Sequence, residues 1–250
     1  MLSFSVLLWF LPLVFLIAAI GTITGGQSLI TVPLLILVGL SPRHAVATNM
    51  FAVTFLSLGG TVSFVRSNIL PRHLLQRLGW VLALLTLGTS ALGAAITVQA
   101  SDRVVSLLVP LSMLIFGGLL PFSQLAARPH LGRPLRMIGY GLSALLGVYG
   151  GAYSGGYTTV LTMVCTIFFG LTLLEAVALT KFINLFSCGA ATAVFAAYGL
   201  IDWRLGGCMA VAMFAGALVG ARFALQLPQR TLRIGFALSV VAMATLLFLR

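Results

Sequence analysis

Apolar residues fill ten stretches of this chain, separated by short punctuations of Pro, Gly, Arg and hydroxyl side chains. The stretches fall at roughly 4–20, 28–40, 45–65, 76–98, 104–122, 135–150, 157–172, 175–199, 205–225 and 231–249. A helix needs about 20 apolar residues to cross the hydrocarbon core of a bilayer. The third, fourth, eighth and ninth stretches are long enough. Stretches 28–40, 135–150 and 157–172 are short and read as half-helices or re-entrant arms. The pattern predicts an all-α integral membrane protein of about 8–10 transmembrane or half-spanning helices.

The pattern also repeats. Gly21, Gly25 and Gly26 of GTITGG recur as Gly151, Gly155 and Gly156 of GAYSGG, Arg72 pairs with Arg204 two residues further out of register, and Gly93 and Arg103 pair with Gly220 and Arg230 after a deletion. The segment 127–136, ARPHLGRPLR, is a sustained polar stretch with Pro and Gly and is the natural linker. The chain therefore divides into a first membrane repeat, 1–126, a cytoplasmic linker, 127–136, and a second membrane repeat, 137–250. Five elements per half is an odd number, so the second half is expected to be inverted in the membrane.

Composition removes the soluble alternatives. Of 250 residues, 60% are hydrophobic and 7% charged, against about 25% charged in a soluble globular chain. Fourteen Lys and Arg face three acids, Asp102, Glu175 and Asp202, for a net charge of +11. The basic residues cluster in short loops, as membrane orientation requires, so nucleic-acid binding is not expected. Arg66, Arg72 and Arg77, then Arg128, Arg133 and Arg136, then Arg222, Arg230 and Arg233 all fall on one side if there are ten crossings. The positive-inside rule makes that side cytoplasmic and both termini external, in a multi-pass protein of a bacterial plasma (inner) membrane. The N-terminal stretch lacks the basic start of a cleaved signal peptide and reads as the first span. Cys165, Cys188 and Cys208 lie in apolar stretches with no paired spacing, and His44, His73 and His130 match no metal site, so neither cofactor nor metal is expected.

Candidate chemistry gathers at the two glycine-rich breaks, Gly21–Ser28 and Gly151–Thr158. Backbone opened at membrane depth is tolerated only where protein or a water-filled cavity satisfies it. A helix restarting after such a break presents unpaired N–H groups and about half a positive charge, which suits an anion. The expected substrate-binding set is Gly25, Gly26, Gln27 and Ser28 of the first break and Gly155, Gly156, Tyr157 and Thr158 of the second. Thr48, Asn49, Thr180, Lys181 and Asn184 join it from the following helices. Against this, the G-x-x-x-G spacings are equally those of close-packed helix faces or external turns. Thr48 and Asn49 are equally suited to bonding across a helix interface, and Lys181 to snorkelling. Glu175 reads as an interfacial charge or a proton carrier. No paired acids, metal cluster or nucleophile with its base is visible, so no enzyme is expected.

With G-x-x-x-G-G-x-x-x-x-x-x-P at Gly21, Gly25, Gly26 and Pro33, AVAT at Ala45–Thr48, and a second copy from Gly151, the chain resembles the TauE/SafE family of sulfite exporters and related permeases. Departures fall at Gln27, at Asn49 of the Thr48-Asn49 pair, and at Met163 where a proline would match Pro33. The resemblance implies export or uptake of small anions, among them sulfite and organosulfonates. The expected function is a secondary carrier, an exporter, for such an anion by alternating access. An anion channel and a membrane-embedded enzyme or assembly factor are the competing classes. The expected partners are the small anionic substrate and the lipid bilayer, with a homodimer as a further possibility.

Overall fold

The computed structural model describes residues 4–119 and 133–223, and all the regular structure among them is helical. The helices are α1 (Phe4–Thr24), α2 (Ser28–Leu37), α3 (Pro42–Arg66), α4 (Arg72–Gln99), α5 (Asp102–Leu119), α6 (Arg133–Ala152), α7 (Tyr157–Phe169), α8 (Leu173–Ala197) and α9 (Trp203–Phe223). Nine of the ten apolar stretches thus become helices. The tenth, 231–249, lies outside the described residues. So does most of the 127–136 linker, whose last residues, from Arg133, already form the first turn of α6.

The helix ends have local causes. Proline at the first position of α3 brings a φ already suited to a helix and has no N–H to orphan. At the start of α8, Thr172 and Glu175 form a reciprocal capping box, the Thr172 hydroxyl accepting from Glu175 N while the carboxylate accepts from Thr172 N at 2.9 Å. Gly170, with φ +70°, closes α7 in the left-handed region where a side chain would be strained. Within α4 the first turns widen into a π segment, Leu75–Gly79. That widening lets the long helix continue from the Arg72 turn without a break.

Four helices, α3, α4, α8 and α9, are long and apolar enough to cross a membrane. They are the same four stretches whose length in the sequence suffices for a span. Outward-facing Leu84, Leu92 and Ile96 on α4 and Val211 on α9 are exposed, as expected where the solvent is lipid.

The packing repeats across the halves. Helix α1 packs on α9 as α6 packs on α4, α3 packs on α9 as α8 packs on α4, and α3 and α8 meet at the centre. Each half thus lays its first helix on the fourth helix of the other. Glycines permit the close approach. A Cβ added at Gly93 of α4 would stand 1.9 Å from Val148 O of α6, and one at Gly220 of α9 would stand 2.1 Å from Ala19 O of α1. Gly93 and Gly220 are the pair that the repeat aligns in the sequence. Small residues at such crossings let backbones touch, and dispersion replaces the hydrophobic drive that lipid removes.

Gly93→Leu and Gly220→Leu should each lower the melting temperature of the detergent-solubilised protein, at a cost of about 1–3 kcal/mol for overpacking. Gly88→Ala, where an added Cβ meets nothing within 4 Å, should not. Equal melting curves for all three would contradict these contacts.

Candidate functional site

The first break is short. Helix α1 continues through Gly21 to Thr24, and Gly25, with φ +86°, turns the chain before α2 restarts at Ser28. In the second, α6 continues through Gly151 to Ala152, and Tyr153–Gly156 carry the turn, with Ser154 at φ +67° and Gly156 at +77°. Both breaks are narrower than the glycine pattern suggests, because Gly21 and Gly151 serve packing rather than unwinding. A Cβ at Gly151 would lie 2.0 Å from Ser90 O, and one at Gly21 would lie 2.6 Å from the Cβ of Gln27. Every residue from 21 to 35 and from 153 to 159 is buried.

The breaks lie against each other. Interrupting α1 leaves carbonyls without intrahelical partners, a debt that lipid cannot settle. Hydroxyls of the first turn of α7 settle it: Thr158 Oγ1 donates to Gly25 O, and Thr159 Oγ1 donates to Thr24 O at 3.1 Å. From the second break, the Tyr153 hydroxyl reaches Ser28 O at 3.5 Å, and Tyr149 of α6 donates to Gly155 O at 2.5 Å. A side chain at Gly25 would meet Thr158 Oγ1 and Thr159 N at 3.0 Å. The amides of Gly26, Gln27 and Ser28 find no backbone carbonyl among the described residues, the ladder resuming at Leu29 N to Gly26 O, 2.9 Å.

Behind each break, the next helix is clasped to the restarting one. Thr31 Oγ1 of α2 donates to Asn49 Oδ1 of α3 at 2.6 Å, and Asn49 Nδ2 donates to Ser28 Oγ at 3.0 Å. In the second half, Thr162 Oγ1 of α7 and Thr180 Oγ1 of α8 are 3.3 Å apart. Both clasps join residues 18 apart in sequence, one residue out of register with the glycine repeat.

Lys181 is the only lysine of the chain and, among the described residues, the only charged side chain in the buried class. It does not snorkel. Its stem passes Gly60 of α3 and its Nζ donates to Gly21 O at 3.2 Å. That carbonyl also accepts from Gly25 N at 2.8 Å, at the negative end of α1. Asn184, one turn on, donates to Ser57 Oγ at 2.8 Å and accepts from the Cys188 thiol at 3.2 Å.

Of the expected site residues, the structure brings the two glycine pairs, Gln27, Ser28, Tyr157, Thr158, Asn49, Thr180 and Lys181 together around the breaks, with Asn184 behind Cys188 and Ser154. Thr48 stands apart. Its hydroxyl accepts from Asp202 N at 3.0 Å, where α3 meets the start of α9, which is the interface role. Glu175 is bound in its capping box. Thr31, Tyr149, Tyr153, Thr159 and Thr162 also bond at the breaks and lie outside the set expected from the sequence. The hydroxyl pair Thr158-Thr159 directly after GGY was the available signal.

A family model described as "Sulfite exporter TauE/SafE" matches residues 10–247. Among curated proteins, the chain is similar to "Probable membrane transporter protein ORF9" of Sinorhizobium sp, 27% identical with 90% of this chain and 85% of that protein covered. It is also similar to a "Probable membrane transporter protein" of Haemophilus influenzae, 28% identical over 83% of this chain and 81% of that one. "Probable membrane transporter protein YfcA" of Escherichia coli K12 is 28% identical over 86% and 79%. No solved structure gives a significant match.

Asn49→Leu strands the buried hydroxyl of Ser28, while Thr31 falls back on Gln27 O at 3.1 Å, and should cost about 1–3 kcal/mol. Thr180→Val should cost less, because Thr162 keeps its bond to Thr158 O at 2.7 Å. Thermal unfolding of the two variants checks the order, and the reverse order would contradict the clasp.

Proposed function

We propose that this chain, which belongs to the sulfite exporter TauE/SafE family, is a secondary carrier that exports a small anion by alternating access. The coarser statement needs no proposal: it is a multi-pass membrane transporter of that family. The observation that carries the finer one is the meeting of two buried helix breaks beside a buried ammonium.

The amides that follow Thr24 open toward the restart of α2, where peptide dipoles favour negative charge. Lys181 adds an amine, cationic when protonated, with no carboxylate among its described partners. Burying such a cation unpaired is costly, so an anion that pairs with it gains binding energy that water cannot supply. The glycine pairs let ligand oxygens approach the backbone, and Ser28, Asn49, Thr158 and Thr180 hold the restarting helices in register. Asn184 tightens the α3–α8 contact behind them, and Thr48 acts indirectly, by tying α3 to the start of α9.

The reciprocal packing supports two halves that are inverted relative to one another and rock as units. Direct bonding of Thr158 and Thr159 to the end of α1 is a closed contact that must part for a ligand to pass. A carrier needs such a gate, whereas a channel conducts through a standing pore. The arginine clusters then lie on the cytoplasmic face of a bacterial inner membrane, with both termini outside.

The test is anion flux in proteoliposomes across sulfite, sulfate, thiosulfate and short organic acids. Saturable, counterflow-competent movement of a subset of these is expected. Lys181→Ala should lower kcat/KM about tenfold or more, the loss of one charge-assisted hydrogen bond, while membrane insertion stays intact. Unchanged kinetics in that variant would remove Lys181 from the site. Absence of any flux with wild-type protein would overturn the carrier.

A further inference from the structure

We infer that Gln27 is the specificity-determining residue of the site, and that the passenger is an anion carrying a hydrogen-bond donor beside its charged head. This rests on the transport function proposed above and concerns which anion that site takes.

Most polar side chains at the breaks already spend their hydrogen bonds inside the protein. Thr158 and Thr159 spend theirs on the carbonyls ending α1, and Ser28, Thr31 and Asn49 spend theirs on one another. Such groups shape the site and are poorly placed to read a ligand. Gln27 is different. It is 1% exposed, it stands at the restart of α2, and its Oε1 has no hydrogen-bond partner among the described residues. A buried amide oxygen left unpaired is costly, so a ligand group that pairs with it is selected over one that cannot.

Its surroundings say what that group is. The Gln27 side chain lies on Gly21, with Oε1 3.2 Å from where a Cβ of Gly21 would stand. The Lys181 ammonium bonds the carbonyl of the same residue. A side chain at Gly21 would occupy the place of Gln27, which explains a glycine inside a continuous helix. An unpaired amide oxygen and an ammonium with two of its three donors left over thus adjoin one backbone position. The ammonium and the free amides of Gly26 to Ser28 suit a charged oxyanion head, and Oε1 accepts from a donor on the same molecule. A protonated oxyanion or a small hydroxy- or amino-sulfonate has both; a simple alkyl sulfonate has only the first.

The two-fold-related position carries the same kind of residue. Tyr157 follows Gly155-Gly156 as Gln27 follows Gly25-Gly26. It packs on Gly150, the residue before Gly151, the counterpart of Gly21, and its buried hydroxyl also lacks a hydrogen-bond partner among the described residues. Only the Gln27 side has the cation. The charged head therefore binds on the Lys181 side, with Gln27 as its reader.

The experiment compares uptake of hydroxyethanesulfonate with that of propanesulfonate, in which a methyl group replaces the hydroxyl, by the purified full chain in proteoliposomes. Wild-type protein should favour the hydroxylated anion in kcat/KM. Gln27→Met, similar in length and without the amide, should shrink that preference about tenfold or more, chiefly by loss of the hydroxylated substrate. An unaltered ratio in Gln27→Met, or no preference in the wild type, would overturn the assignment. Gln27→Glu is the second variant. Its carboxylate beside Lys181 should abolish uptake of both anions, and wild-type uptake of both would equally overturn it. Anion flux with an unchanged ratio sinks the role of Gln27 alone, whereas no flux of any anion sinks the carrier itself.

Discussion

A helix interrupted inside an apolar bundle must find partners for the backbone groups it exposes, and in this protein the first break finds them in the second. The last carbonyls of α1 are held by Thr158 and Thr159 from the start of α7. The carbonyl of Ser28 is reached by Tyr153 from the second break. The first interruption is thus held from the other half, whereas in the second Gly155 O is held by Tyr149 of its own half and Ala152 O by Thr97 of α4. This constraint fixes the centre of the bundle. It also explains why both breaks are wholly buried, since any lipid contact would leave polar backbone unsatisfied.

From that contact the surrounding architecture follows. The two restarting helices are each clasped to the next long helix, through Thr31 and Asn49 on one side and Thr162 and Thr180 on the other. Those long helices, α3 and α8, meet at the centre. Lys181 has no counterpart in the first clasp: Met50 follows Asn49 where Lys181 follows Thr180. The amine of one half ends on the terminal turn of α1 in the other, and so ties the halves together. In the proposed mechanism, a ligand that draws this amine from Gly21 O would loosen a tie between the halves beside the closed contact, and so link binding to gating through one side chain.

Much of this was legible before folding. Apolar run length alone marked the four long helices, because a bilayer sets a minimum that few other constraints blur. The GG pairs marked both breaks, and the Gly93–Gly220 alignment marked two helix crossings that prove equivalent. Break boundaries were less legible. Gly21 and Gly151 look like turn residues, yet they sit in continuous helix and make room for Gln27 and for the Ser90 backbone, a demand set by neighbours that are distant in sequence. Thr48 and Asn49 are adjacent and chemically alike, but successive helical positions face different neighbours. Asn49 looks to α2, and Thr48 looks to Asp202. The capping box at Thr172 and Glu175 was readable as T-x-x-E, and recognising it settles a carboxylate that otherwise invites a proton-carrier role.

The account depends most on the two breaks meeting in the protein interior and enclosing the anion. A cryo-EM map of the protein in nanodiscs with a saturating hydroxylated sulfonate tests it most directly. Density for the anion should be bounded by Gly25–Ser28, Gly155–Thr158 and the Lys181 amine. Continuous helices through both glycine pairs, or the anion bound away from them, would contradict it.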